Sequence, residues 1–449
     1  MKTKLLLLLS IFTLQINAQC WDKISSGAYH TIAIAHDGTL WAWGYNNTGQ
    51  VGNGTVVNQN IPVQIGTDTD WVSVGAGFYH SFAIKANGTL WGWGDNSDYK
   101  IKNNAPSPST PLTFTVPTQI GTDTNWSKIS GGENFTVAIK TNGTLWTWGS
   151  DSQGQMGNGV SAGANLVPTQ VGTATDWAQI DAGRYHVIAL NTGGGVFLWG
   201  DGGYGQLGTG SGFDGQTPSL ISGTSGVLKI DACARGSAII LSDNSLWTTG
   251  IVGSSNTYSF TKFQTANNWT NISVGFSHII ATKLDGTLWA WGDNSLLQCS
   301  SSTTNSFSNP YQVSGTGYST KLSANLYSSI VLKTDGSLYA FGQNHVGQLA
   351  LGNSVNSVAT LVTCPSVLSS ETFYSQNIIS LYPNPVSNQL NISTSSEIQK
   401  LIIYDITGKQ VKYQEGNINS IDVQELKSGF YLIEITIDGN KEIKKFLKQ

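Results

Sequence analysis

The stretch "DGTLWAWG" spans Asp37–Gly44 and recurs letter for letter at Asp285–Gly292. Aligning the chain on it gives seven units, with aromatic anchors at Trp41, Trp91, Trp146, Phe197, Trp247, Trp289 and Tyr339. Twenty residues before each anchor lies Trp21, Trp71, Trp126, Trp177, Val227, Trp269 or Ser319, while the full period ranges from 42 to 55 residues. A core of fixed length with loops that absorb the variation is the mark of a repeat architecture. Within a unit, Asp37-Gly38, Asn87-Gly88, Asn142-Gly143, Asp285-Gly286 and Asp335-Gly336 fill one slot between two apolar runs. These dipeptides predict a tight type I′ hairpin. In "LWAWG", Trp41 and Trp43 go to one sheet face and Leu40 and Ala42 to the other, so both faces are apolar and the sheet is expected to lie between neighbours. Gly-Gln pairs such as Gly49-Gln50, then a Pro-bearing segment such as "IPVQIG", predict a fourth, outer strand.

Charged residues make up 11% of the 449, whereas Gly numbers 52, Trp 15 and Tyr 16. That balance belongs to a turn-rich β protein, not to a disordered or coiled chain. The first residues, "MKTKLLLLLSIFTLQINAQC", read as a secretory signal peptide over residues 1–18, cut after Ala18, with an apolar run too short to span a membrane. No other stretch is apolar enough for a transmembrane helix. From Gln19 to Pro365 there are 13 Lys plus Arg against 18 Asp plus Glu, which disfavours nucleic acid as a partner. Seven units of about four strands predict an all-β fold, a seven-bladed β-propeller over residues 19–365.

The order Gly, two variable residues, His, apolar strand, Asp/Asn-Gly, aromatic-x-Trp-Gly, Gly-Gln, Pro resembles the regulator of chromosome condensation repeat family from Trp21 to about Pro365. The resemblance implies a seven-bladed ring. Blade five departs from it, with Cys233 for the Gly, Gly236 for the His and Thr249 for the Trp, and blade two has Tyr99-Lys100 for Gly-Gln and a longer "SPSTP" loop. These departures are expected to weaken individual blades. After Pro365 a polar linker covers residues 366–378, and residues 379–449 read as a small β-sandwich. The segments "ISLYPNPVSNQLNI", "KLIIYDITGKQV", "LKSGFYLIEI" and "NKEIKKFLKQ" resemble the C-terminal sorting domain of the type IX secretion system of Bacteroidota. That implies export, with the secretion machinery as one partner and a secreted or cell-surface location.

His30, His80, His186 and His278 share one repeat position and are expected to bond neighbouring backbone, so no metal site and no cofactor is expected. Glu133 is the single Glu between Gln19 and Pro365, and most Asp residues fill turn slots, so no catalytic pair is expected. "GVSAG" at Gly159–Gly163 matches a nucleophile elbow in letters only, since no helix pattern follows. Four cysteines in an exported chain allow three pairings. Closing a ring brings its ends together, so a disulfide between Cys20 and Cys364 is expected, with no evident partner for Cys233 or Cys299.

The informative positions are the two between Gly and His, which fall in the turn after each first strand and are expected to ring one face near the axis. They supply the candidate partner-binding residues Tyr29, Phe78, Tyr79, Glu133, Asn134, Arg184, Tyr185, Arg235, Phe276 and Tyr327. Tyr, Phe and Arg are residue types that interface hot spots favour. Core demands repeat from blade to blade, whereas Glu133, Arg184 and Arg235 do not. The expectation is a non-catalytic, secreted binding propeller for an extracellular protein; the alternative is a glycan, with ring aromatics stacking on sugars. An enzyme acting on polysaccharide is the weakest of the three readings.

Overall fold

The computed structural model describes residues 20–364 and 380–449, apart from 102–112, 162, 254, 395–396, 406–407, 417 and 438–439. The expected signal peptide, the linker and the "SPSTP" loop lie outside the described residues. The chain forms two compact units. The described residues contain no helix.

In the first unit each repeat folds into its own four-stranded antiparallel sheet, in plain chain order. Blade one comprises β1 (Trp21–Ser26), β2 (His30–Ala35), β3 (Leu40–Gly44) and β4 (Gln59–Gln64). The next five blades start at Trp71, Trp126, Trp177, Val227 and Trp269. A seventh sheet starts at Tyr318, not at Ser319. Tyr318 pairs with Lys333 as Trp21 pairs with Ala35, and one extra residue is taken up in the bulge that follows. Each sheet packs on the next, and the seventh packs on the first without any exchange of strands. Cys20 and Cys364, 344 residues apart, are disulfide-bonded at the junction of the ends.

Every letter of the opening octet has a task. Gly38 N–H donates to Ala35 O and Ala35 N–H to Thr39 O, and the positive φ is at Gly38 (80°), not at Asp37. The hairpin is therefore a type I turn closed by a left-handed glycine, and the type I′ expectation is corrected. The Asp37 carboxylate accepts the Thr39 N–H and hydroxyl, and the Thr39 hydroxyl accepts the Trp41 indole N–H at 2.8 Å. The same chain runs Asn87–Thr89–Trp91, Asn142–Thr144–Trp146, Asp243–Ser245–Trp247 and Asp285–Thr287–Trp289. Leu40 and Ala42 face blade two, whereas Trp41 and Trp43 face blade seven.

The second Trp of the octet makes the joint between blades. Trp93 Nε1 donates to the Gln50 carbonyl of the preceding blade at 2.9 Å, Trp199 to Gln155 at 3.0 Å, and Trp43 closes the ring on Gln348 at 3.1 Å. The histidines take part in the same joint. His30 Nε2 bonds the Ser81 hydroxyl of the next blade, which donates to Gln50 O; His186, Ser237 and Gln206, and His278, Ser329 and Gln298, repeat the relay. The partner is thus a hydroxyl, where the sequence suggested backbone. Burial holds His30 and His186 down to about 3 and His278 to about 4, so the rings are neutral. The Gly of Gly-x-x-His is required because a Cβ at Gly27 or Gly77 would overlap the imidazole three residues on.

Blade five is compensated rather than weakened. The Cys233 side chain and Val252 occupy the space that Gly236 leaves by lacking an imidazole, and the thiol donates to Gly236 O. Thr249 Oγ1 donates across to Gly205 O at 2.8 Å, and Phe260 packs on Gly208 where Trp93 and Trp199 pack on Gly52 and Gly157.

In the second unit, strands Ser380–Tyr382, Gln389–Ser393 and Ser420–Asp422 form one sheet, and Gln410–Glu415, Ile398–Tyr404, Gly429–Ile437 and Asn440–Lys448 the other. Leu390, Ile392 and Ile421 from the first share one core with Leu401, Ile403, Ile433 and Ile435 from the second.

Among the described residues His80 is the one relay histidine whose Nδ1 and Nε2 both lack a partner: Thr136 in the next blade bonds Lys100 O, as Ser81 bonds Gln50 O, but not the imidazole. A buried polar ring without partners costs stability, and Phe135 fills the same slot in blade three. His80→Phe is therefore expected to be neutral or stabilising at pH 7. Its advantage should grow as pH falls below about 6.5, where the unfolded imidazole gains a proton that the buried ring refuses. Thermal unfolding of both proteins from pH 7.5 to 5 checks it.

Candidate functional site

Two concentric features of the first unit set the candidate site: a belt of hydrogen bonds around the axis and a ring of turns above it. In the belt, the residue two before the turn-glycine position, a position held by Cys233 in blade five and Asn325 in blade seven, offers a side-chain oxygen to the backbone N–H of the adjoining blade in six of the seven blades. Ser25 accepts from Ala76, Ser130 from Ala182, Asp181 from Ala232, Asp231 from Val274, Ser273 from Ala324 and Ser323 from Ser26. These six bonds span 2.7 to 3.2 Å. The seventh place is Gly75, where a Cβ would strike Ile129 O. The belt encloses an axial cavity of about 280 Å³.

The turn residues separate into two sets. Ala28, Phe78, Ala234, Phe276 and Leu326, the first residue in five of the seven variable pairs, border the cavity, whereas Glu133 and Arg184, first in the other two, are not in its lining. The second residues form the outer set. Tyr29 meets Tyr327 at 6.3 Å between ring centroids, Phe276 meets Tyr327 at 5.9 Å, and Phe78 meets Tyr79 at 6.4 Å. Tyr45 joins Tyr29 to Tyr79, and His345 stands edge-on to Tyr29. The result is a half-buried aromatic arc across blades six, seven, one and two. Burial and the neighbouring phenols push Tyr29 up, and burial together with Glu133 pushes Tyr79 up, so both keep their protons as hydrogen-bond donors at neutral pH.

The opposite side of the ring is ionic. Arg184 grips Glu133 through Nε on Oε2 and Nη2 on Oε1, and its guanidinium lies 5.0 Å from the Tyr185 ring centroid. The bond to Glu133 raises the Arg184 pKa still further. Asn134 Oδ1 accepts from Lys100 Nζ, which is fully buried and paired with Asp95 at 2.5 Å. Arg235 lies between Tyr204 and Phe276, 4.6 and 5.3 Å from their centroids, and links the two sides.

All ten residues named from the sequence therefore lie in the turns, but in three groups: Phe276, Tyr327, Tyr29, Tyr79 and Phe78; Asn134, Glu133, Arg184 and Tyr185; and Arg235. Sequence reasoning missed Tyr45, His345, Tyr204 and the belt acids. Tyr45 carried a signal, since it follows Trp-Gly where other blades have Asp95, Asp201 or Asp293.

Asp181 and Asp231 stand in adjoining blades where four other blades have Ser and blade two has Gly75. Burial raises both carboxyls, and Asp181 raises Asp231 further. A carboxyl raised on folding stabilises the fold below its unfolded value of about 3.9 and loses that contribution as pH rises through the folded value. Asp231→Asn keeps the acceptor for Val274 N–H and removes the charge. It is expected to raise the unfolding temperature at pH 7.5, with the gain shrinking toward pH 4, as followed by scanning calorimetry.

Comparison with known proteins agrees with this geometry. Residues 21–50, 71–99, 126–155, 177–206, 269–298 and 320–348, and in a second model 37–84, 142–190 and 193–240, match the Regulator of chromosome condensation (RCC1) repeat. Residues 380–449 match the secretion system C-terminal sorting domain. The mitochondrial RCC1 domain-containing protein RUG3 of Arabidopsis thaliana is 29% identical over 247 residues, 51% of this chain and 53% of that one. The chain thus spans about half the length of that relative. Human WBSCR16 superposes with a TM-score of 0.65 at 17% identity, covering 73% of this chain and 94% of that one. Prp20p of Saccharomyces cerevisiae, whose structure was described with its binding to Gsp1p and histones, gives 0.60 at 19% identity, covering 69% and 81%. At such identities the likeness establishes a propeller fold.

Proposed function

The chain belongs to the regulator of chromosome condensation (RCC1) repeat family, and we propose that its propeller is a non-catalytic module that recognises another protein through the turn face. The sorting domain marks the chain for export by type IX secretion, to a secreted or surface location, so the partner is extracellular. The observation that carries the reading is the concentration of Tyr29, Tyr79, Tyr185, Tyr327, Arg235 and Phe276 where the blades differ, on a scaffold whose other positions repeat. Amphipathic aromatic rings and Arg are the side chains that supply most of the affinity in protein interfaces. Prp20p offers a precedent for protein binding on this fold.

Catalysis has little support. Glu133 is engaged on both oxygens by Arg184, and Asp181 and Asp231 each accept a backbone N–H of the adjoining blade. Glycan binding is the second reading, because tyrosines near an axis can stack on sugars. The arc favours protein: its rings meet edge-on or tilted, which leaves no broad flat platform.

Affinity capture from the protein's own extracellular medium, with the wild-type chain and a Tyr79→Ala, Tyr185→Ala, Tyr327→Ala variant, tests the reading. A specific protein should be retained by the wild type and lost by the variant, with affinity down at least about thirtyfold if one hot spot is removed. Equal capture by both would move the site off this face, and hits on a glycan array without a protein partner would favour the second reading.

A further inference from the structure

The axial cavity is bordered by two carboxyls that no cation among the described residues answers. Asp231 has one hydrogen bond, from Val274 N–H to Oδ2 at 2.7 Å, and its other oxygen has no partner among the described residues although the side chain borders the cavity. Asp181, one blade back, accepts from Ala232 N–H at 2.8 Å and from the Ser130 hydroxyl at 2.9 Å. Neither carboxyl takes part in an ion pair among the described residues. The two nearest arginines in sequence are engaged elsewhere, Arg184 with Glu133 and Arg235 over Tyr204 and Phe276. Serine at the same place in blades one, three, six and seven does the same accepting work without a charge. The belt therefore has no need of carboxylates, and two half-buried ones in adjoining blades cost stability.

Above the acids the cavity is bordered by Ala234, Phe276, Leu326, Ala28 and Phe78, from blades five, six, seven, one and two in turn. An apolar entrance leading to a carboxylate fits a flexible hydrocarbon stem that ends in a compact cation. Lysine has that form, with three N–H donors to share between Asp231 and Asp181. A cavity of about 280 Å³ accommodates one such side chain but no folded element.

We propose that the axial cavity is a pocket for a lysine side chain of the partner protein, whose ammonium is received by Asp231 and Asp181 while its stem lies among Phe78, Phe276 and Leu326. The proposal rests on the turn face being the binding side only for its claim that the lysine arrives on a protein. The pocket itself is testable without any partner.

The probe is Nα-acetyl-lysine N-methylamide, compared with the norleucine analogue, which has the same stem and no ammonium. Binding to the full chain at pH 7.5 is followed by ligand-observed NMR. The lysine amide is expected to bind at least about tenfold more tightly than the norleucine amide, and Asp181→Asn with Asp231→Asn to abolish the preference. Equal binding of the two amides to the wild type, or no binding of either, would overturn the proposal without reference to any variant's folding. A preference that survives in the double variant would also overturn it. Failure here leaves the turn face intact as a binding surface, and failure of the tyrosine variant to lose its partner leaves the pocket intact.

Discussion

At six of the seven joints a backbone carbonyl, that of Gln50, Lys100, Gln155, Gln206, Gln298 or Gln348, accepts a side-chain donor of the next blade. The Gln50 carbonyl receives both the Trp93 indole N–H and the Ser81 hydroxyl of the next blade, and the imidazole of its own blade bonds that hydroxyl. The group is buried, so each donor offsets a desolvation that would otherwise cost about 1 to 3 kcal/mol. From that point the local sequence follows. Gly94 is required beside the approaching loop, Gly77 beside the imidazole, and an aromatic or hydroxyl donor two residues before the hairpin's end. The octet is repeated because the joint is repeated, which makes it scaffold.

The joint also explains a pairing within the sequence. A hydroxyl follows the His slot only where the preceding blade has His: Ser81, Thr136, Ser237 and Ser329 succeed His30, His80, His186 and His278, whereas Val187 and Ile279 succeed Phe135 and Gly236. Thr31, after Ser328, is the one hydroxyl outside this rule, and it bonds Ser26 within its own blade.

Fold and face were legible because periodicity and turn chemistry act locally. The fixed interval placed six of the first strands, and the alternation in "LWAWG" gave both faces. What escaped depended on context. Asp-Gly serves both two-residue and three-residue hairpin loops, and only the hydroxyl of Thr39 reaching back to Asp37 decides between them. Tyr318 was passed over for Ser319 because a bulge can absorb one residue without changing either strand. Blade five looked damaged because Val252 and Phe260, which fill its gaps, lie outside the motif. The axial belt left no sequence signature, since Ser and Asp accept the same N–H.

A division of labour results. Positions that meet a neighbouring blade are repeated or exchanged in compensating sets, and positions that meet solvent at the turn face vary freely in charge and size. A hydrogen-exchange footprint of the exported protein, with and without its captured partner, tests this division most directly. The account predicts protection in the turns around Tyr29, Tyr79, Arg184 and Tyr327, with the hairpins at Asp37-Gly38 and Asp285-Gly286 unchanged. Protection confined to those hairpins or to the outer strands would contradict it.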